Sequence, residues 1–311
     1  LTTRLIITLA LALSALVSQG QQMPLYSHYV LNYFQINPAV AGSTPCLDMK
    51  LGYRMQWVGV EGSPRTAFGN IHGNFGKKKG NFHGIGGQVQ TDDTGPLSFT
   101  GMNLAYAYHM KLNRKYTLSA GASLGFMQYR VDVGQITLPE FQYLNDPAFQ
   151  GGAQEFLFPQ INFGLWLYKD DRFYGFAIHN LVENQYETIG LDAAMRRHFS
   201  FAAGRAIDMS DGFMFKPSAH LQYVSASRVS LDLTAMFDYK DRVELGVGFR
   251  SENGLTALLR LDIFRYVTLG YAYDMALSRI RFDGRHTHEV VLGIQACAKG
   301  ERRATPCAAY D

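Results

Sequence analysis

Val229-Ser230-Leu231-Asp232-Leu233-Thr234-Ala235-Met236-Phe237-Asp238-Tyr239 alternates without a break. Val229, Leu231, Leu233, Ala235, Phe237 and Tyr239 share one face; Ser230, Asp232, Thr234, Met236 and Asp238 share the other. A period of two is a strand, because successive side chains of an extended backbone point to opposite sides. The same rhythm continues through Val243, Leu245, Val247 and Phe249 against Glu244, Gly246, Gly248 and Arg250. It recurs over Phe213–Tyr223 and over Tyr116–Phe126, where Thr117, Ser119, Gly121, Ser123 and Gly125 form the second face. Many of these runs reach about ten residues or more, beyond the roughly five or six usual in soluble sheets. They match the 9–11 residues or so that a tilted strand needs to cross a membrane. Tyr106, Tyr108, Tyr271 and Tyr273 sit near strand ends, as an interfacial aromatic girdle requires.

Working outward, the whole chain has 311 residues, 47% hydrophobic, 13% aromatic and 18% charged, with a net charge of +3. That composition excludes a disordered chain, and so small a charge shows no nucleic-acid footprint. A mean hydropathy of −0.09 excludes a helical membrane bundle but not a barrel, whose alternating strands average near zero. Beyond residue 20 no stretch approaches the roughly 20 consecutive apolar residues of a spanning helix. Strands are predicted at 47–57, 66–75, 82–92, 97–111, 116–131, 157–168, 172–181, 196–208, 213–224, 228–239, 242–251, 254–263, 266–275 and 286–296. The long connections, 132–156, 182–195 and 276–285, all fall at odd positions in this series, and the even positions carry tight turns. Long outer loops and short periplasmic turns are the outer-membrane pattern. The expected fold is all-β: a transmembrane antiparallel outer-membrane β-barrel of about 14 strands.

The ends read separately. Arg4 followed by the apolar run Leu5–Val17 and then Ser18-Gln19-Gly20 is an export signal over 1–20, cleaved before Gln21, which can cyclise to pyroglutamate. Residues 21–46 then form a periplasmic lead-in or a plug, 47–296 the barrel, and 297–311 a periplasmic tail. Cys46 precedes the first strand and Cys297 follows the last; those strands are neighbours in a closed barrel, at its oxidising periplasmic end. Cys46 is therefore expected within bridging reach of Cys297 or Cys307, with Cys297–Cys307 as the competing pair.

Signals for catalysis are thin. His286 and His288 share a strand face with Glu289 opposite, fewer ligands than zinc takes. Ser, His and Asp all occur, but no Gly-x-Ser-x-Gly elbow does, and Gly84-Ile85-Gly86-Gly87 opens no helix to cradle a phosphate. Lys216, Asp232, Asp238, Glu244, Arg250, Arg260, Asp262 and Asp274 face inward; the ordinary reading is a polar lumen with charges paired across strands. Lys77-Lys78-Lys79 reads as a solvated turn. The expectation is a protein that is not an enzyme and takes no metal or cofactor.

Three blocks resemble a known family. Gln21-Gln22-Met23-Pro24-Leu25-Tyr26-Ser27-His28-Tyr29, Asn32 and Asn37-Pro38-Ala39-Val40-Ala41-Gly42 resemble the mature start of PorP/SprF proteins. So do Arg54-Met55-Gln56-Trp57-Val58-Gly59 with Gly62-Ser63-Pro64-Arg65-Thr66. Near the far end, Tyr271-Ala272-Tyr273-Asp274, Ser278 and Thr287-His288-Glu289-Val290-Val291-Leu292-Gly293 follow in the same order. The middle, 100–265, matches only in its barrel-like texture, and the tail beyond Cys297 runs on to Asp311, past where family members tend to end.

The resemblance implies an outer-membrane component or accessory of the type IX secretion system of Bacteroidetes, tied to gliding motility. Its implied partners are outer-membrane lipid, the C-terminal domain of a large secreted adhesin or other cargo, and periplasmic ring lipoproteins of the machine. The motif residues Asn37, Pro38, Ala39, Ala41, Gly42, Arg54, Gln56, Trp57, Gly62, Pro64, Thr66, Tyr273, Asp274, His288 and Glu289 are then structural or partner-binding. For the segment around Asn37-Pro38 a lumenal plug is the preferred reading. Phe141, Tyr143, Phe149 and Phe156, in the expected long outer loop 132–156, are candidate partner contacts. The alternative function is a porin-like channel or small-molecule transporter.

Overall fold

In the computed structural model the alternating runs form one continuous antiparallel ladder. It describes residues 26–76, 80–132, 134, 153–185, 194–224, 229–251, 254–264, 266–277 and 286–297. The strands are β1 Leu47–Met55, β2 Arg65–Phe75, β3 Phe82–Thr94, β4 Leu97–Lys111, β5 Thr117–Asp132, β6 Ala153–Lys169 and β7 Arg172–His179. They continue as β8, in two pieces His198–Arg205 and Ile207–Ser210, then β9 Phe213–Val224, β10 Ser230–Tyr239 and β11 Val243–Arg250. β12 Gly254–Phe264, β13 Val267–Ala276 and β14 Thr287–Ala296 complete the series. Each strand pairs with its sequence neighbours, and β1 pairs with β14 from Leu47↔Ala296 to Met55↔His288. The result is a closed 14-stranded barrel with no free edge along the seam. A separate two-residue ladder, Asn184–Gln185 with Ala194–Met195, lies in the β7–β8 connection.

Burial follows the alternation. Along β4, Phe99, Asn103, Ala105, Ala107 and His109 are buried inside, while Met102, Leu104 and Tyr106 point out. Leu104 is 71% exposed, Leu124 64%, Leu157 67% and Val247 62%. A continuous apolar belt of this kind, on a barrel whose interior holds the charges, is a lipid-facing surface, since a water-soluble protein rarely leaves such patches uncovered. β12 spans a register irregularity near Asp262 and Phe264, and Lys240 and Asp241 adopt positive φ in the tight β10–β11 turn.

One sequence expectation is corrected here. Phe156 is not in an outer loop: β6 begins at Ala153, Phe156 pairs with Tyr129 of β5, and its ring stacks on Phe158 at 6.4 Å. An aromatic-rich, polar-spaced stretch simply extends the strand past the expected start at 157. The export segment 1–20, Gln21, Lys77–Lys79, Phe141, Tyr143, Phe149, Cys307 and the tail from residue 298 lie outside the described residues.

Candidate functional site: a filled lumen with an outer recess

Residues 26–46 run inside the barrel, and Ser27 through Thr44 are buried throughout. The segment folds as three short turns, Tyr29–Leu31, Tyr33–Ile36 and Pro38–Val40. Its apolar side chains meet an apolar patch on the wall. Tyr33 lies 4.7 Å from Phe173 and 5.5 Å from Trp166, and those two rings stack at 4.6 Å. Burying side chains such as Val30, Phe34 and Ile36 contributes about 1.5–3 kcal/mol each.

A segment without sheet partners must satisfy its backbone by other means. The wall supplies them. Ser119 Oγ donates to the Ala39 carbonyl at 2.7 Å, His109 Nε2 to Ala41 at 2.8 Å and His179 Nε2 to Ile36 at 3.0 Å. Asn37 does two jobs with one amide. Its Oδ1 accepts from the Ala39 N–H at 2.9 Å and caps the last turn, while its Nδ2 donates to the Leu165 and Phe176 carbonyls of β6 and β7. Pro38 occupies the first position of that turn, where its missing N–H is no loss, and Gly42 turns away at φ 74°.

The wall makes room with glycines. A Cβ on Gly84 would run into the Ala41 carbonyl oxygen, one on Gly121 would lie 2.6 Å from Ala39 Cα, and one on Gly164 would strike the Asn37 amide. Gly84→Val is therefore expected to displace the plug around Ala41 while the barrel still closes; faster amide exchange at Ala39–Ser43 in a folded barrel checks it.

At the outer end, three motif residues far apart in sequence converge. Arg54 on β1 donates from Nη1 to Glu289 Oε2 at 3.0 Å and to Ser27 Oγ at 2.6 Å, and from Nη2 to Asp274 Oδ2 at 2.8 Å. Glu289 accepts the Ser27 and His28 backbone N–H groups at 2.8 and 3.1 Å, and Ser27 Oγ also donates to Asp274 at 2.6 Å. The cluster thus clamps the start of the described plug between β1, β13 and β14. Arg250 adds a bond from Nη2 to the Tyr26 carbonyl at 2.7 Å. Deeper in, Lys216 bridges Asp238 and Glu244 at 2.6 and 2.7 Å, and Arg260 reaches Glu244 at 3.2 Å. At the opposite end of the lumen Cys46 and Cys297 form a disulfide that ties the end of the plug to the end of β14. In the β6–β7 turn, hydrogen bonds from Arg172 and Lys169 hold the Asp171 carboxyl well below the usual carboxylate range.

The other motif residues shape the first outer loop. Gln56 N–H donates to the Pro64 carbonyl, and Trp57, at φ 46°, is pinned to β14 through Thr287 Oγ1. Gly62 at φ 71° makes the bend, and Thr66 Oγ1 donates to Asp92 at 2.5 Å. His288 faces outward beside Tyr273, 5.3 Å between rings, and accepts or donates to Tyr271 Oη at 2.7 Å. No group of three or more metal-ligating side chains occurs among the described residues.

Above the plug lies a small recess, open at one end. Its floor is Tyr26, Tyr29 and Gln35 of the plug; its wall includes Ser200, His220 and Asp232, near the outer ends of β8, β9 and β10. Sequence reading missed both the recess and the wall glycines. Small residues recurring at inward positions were the available signal for the glycines, whereas the recess comes from register across three strands.

The family model for the type IX secretion system membrane protein PorP/SprF matches residues 18–294. The chain belongs to the PorP/SprF family. No curated protein matches it. Among solved structures it is similar to the toluene transporter TodX of P. putida, with TM-score 0.53, 10% identity, and 85% of this chain and 93% of that one covered. A TodX deletion mutant, described as a monoaromatic hydrocarbon channel, gives TM-score 0.53 at 10% identity over 88% and 95% of the two chains. A FadL homologue of Pseudomonas aeruginosa gives 0.49 at 12% identity over 89% and 95%. The two TodX likenesses establish the barrel fold. Fold and family together give this PorP/SprF protein an outer-membrane location and a role in transport or secretion.

Proposed function

We propose that the protein is an accessory of the type IX secretion system that binds through its outer loops and rim and does not conduct through its lumen. The observation that carries this reading is the buried segment Ser27–Thr44, which fills the lumen and is clamped at one end by Arg54, Asp274 and Glu289 and at the other by the disulfide. Family membership supports the link to that machine. On this reading the partner is a secreted protein, such as the C-terminal domain of an adhesin held at the surface for gliding, or a periplasmic ring component.

The second reading is a channel for small solutes. The fold likeness to hydrocarbon-transporting barrels favours it more directly than it favours cargo binding. A surface and culture-medium proteome of a deletion strain separates the two. Selective loss of one large secreted protein from the surface is the expected result, and loss of all type IX cargo would place the protein in the core machine. An unchanged secretome with reduced uptake of a small solute would replace the proposal with the channel.

A further inference from the structure

The recess above the plug brings together three side chains from three adjacent strands, a hydrogen-bonded Ser–His pair with a carboxylate beside it. Ser200 Oγ on β8 lies 2.9 Å from His220 Nε2 on β9, and His220 Nδ1 lies 3.7 Å from Asp232 Oδ2 on β10. Cross-strand register produces this line. His220 sits directly opposite both Ala202 and Asp232, which leaves Ser200 on the diagonal, within reach of the imidazole. The Asp232 carboxylate on the Nδ1 side favours the tautomer with its proton there, which leaves Nε2 to accept from the serine hydroxyl.

The supporting contacts fix each member. Arg250 holds Asp232 through Nε at 2.5 Å and Nη2 at 3.1 Å. Tyr29 of the plug lies against the His220 ring, 5.2 Å between centroids, and its own hydroxyl is tied to Ser218 and Thr234. Gln222 is the direct cross-strand partner of Ser200 and also lines the recess. Its amide brings a hydrogen-bond donor to the same recess as the serine. A nucleophile, a base, a group orienting the base and a donor thus meet in one recess, the arrangement by which a hydroxyl is activated on unrelated folds.

We propose that Ser200 is an activated nucleophile, with His220 as its base and Asp232 as the residue positioning that base, acting on small carboxylic esters that enter the outer recess. In the first step the Ser200 Oγ–carbonyl carbon bond forms as His220 Nε2 takes the hydroxyl proton. The ester C–O bond then breaks, and the departing alkoxide takes that proton and leaves as the alcohol. Water repeats the sequence on the acyl-serine and releases the carboxylic acid. This activity adds to the secretion role and does not depend on it. It departs from the expectation of a non-enzymatic chain, because residues brought together by barrel register leave no local sequence signature.

A short-chain alkyl fluorophosphonate tests it on the full-length folded barrel. Attack forms the Ser200 O–P bond and expels fluoride, and peptide mapping locates the adduct. The expected result is labelling at Ser200, absent in Ser200→Ala and slower by about 100-fold or more in His220→Gln, in keeping with the loss of a general base. Asp232→Asn is expected to slow labelling less than His220→Gln. Release of p-nitrophenol from p-nitrophenyl acetate should fall in the same order. Retained heat-modifiable gel mobility confirms that each variant is folded. No adduct on folded wild-type protein, or wild-type labelling rates in His220→Gln, would overturn the proposal and leave the three residues as packing behind Tyr29.

Discussion

Arg54→Met is expected to release the start of the plug while the barrel stays closed. Arg54 is 1% exposed and is the cation common to Asp274, Glu289 and Ser27 Oγ. Removing it leaves two carboxylates facing each other with their guanidinium gone, and breaking a buried pair in this way costs about 3–5 kcal/mol. The cheapest relief is for Ser27 and His28 to leave Glu289 so that water can enter. Amide exchange at Ser27–Leu31 should rise by a factor on the order of 100 or more, using about 1.4 kcal/mol per tenfold change. The strands should remain protected, because their ladder bonds do not involve this cluster. Arg54→Lys should fall between, since a single ammonium cannot reproduce the fork that reaches both carboxylates. Adding Asp274→Asn and Glu289→Gln to Arg54→Met should restore part of the protection, the signature of coupling between touching groups. Unchanged exchange at Ser27 and His28 in Arg54→Met would show that apolar packing alone holds the plug.

These dependencies also explain what could be read from the sequence. Strands such as β10 were legible because a polar lumen and an apolar membrane belt impose a period of two on every residue. Their number followed from turn chemistry at Ser210-Asp211-Gly212 and Lys240-Asp241, short connections that recur on one side only. The proximity of the chain ends near Cys46 and Cys297 is a consequence of closure, and β1 and β14 do pair. Distance relations inside the lumen were a different matter. Arg54 meets Asp274 and Glu289 through register between β1, β13 and β14, and no local pattern marks it. Phe156 looked like loop because a strand of 17 residues exceeds what a bilayer needs, so the sequence beyond the membrane loses the apolar face that reveals it. Gly84 and Gly164 carry no local sign of their role, because the plug that occupies the space their missing side chains leave is distant in sequence.

Deleting residues 27–41 should convert a silent barrel into a conducting pore. The deletion removes what fills the lumen and keeps Gly42–Cys46, so the disulfide to Cys297 can still form. The barrel should survive it. Lumenal ions that were paired against the plug become solvated, and charges in water require no partner. Around Asn37–Gly42 the wall that faced the plug includes small residues, Gly84, Gly121, Gly164 and Ser119, and side chains of that size cannot collapse inward to refill the space there. What lines the opened pore sets its selectivity. Among the described residues, the buried ionic side chains are the cations Lys50, Arg54, Lys216, Arg250 and Arg260 against the acids Asp48, Asp232, Asp238, Glu244, Asp274 and Glu289, with half-buried Asp92 and Asp262 adding to the acidic side. That excess of carboxylates favours cations in transit, and the preference should weaken as salt screens the lining. In planar bilayers the full-length chain is expected to show no steady conductance and the deletion variant stable, cation-preferring steps. Equal conductance in both would mean that solutes pass beside the plug or that it moves aside, and the channel reading would then displace the secretion accessory.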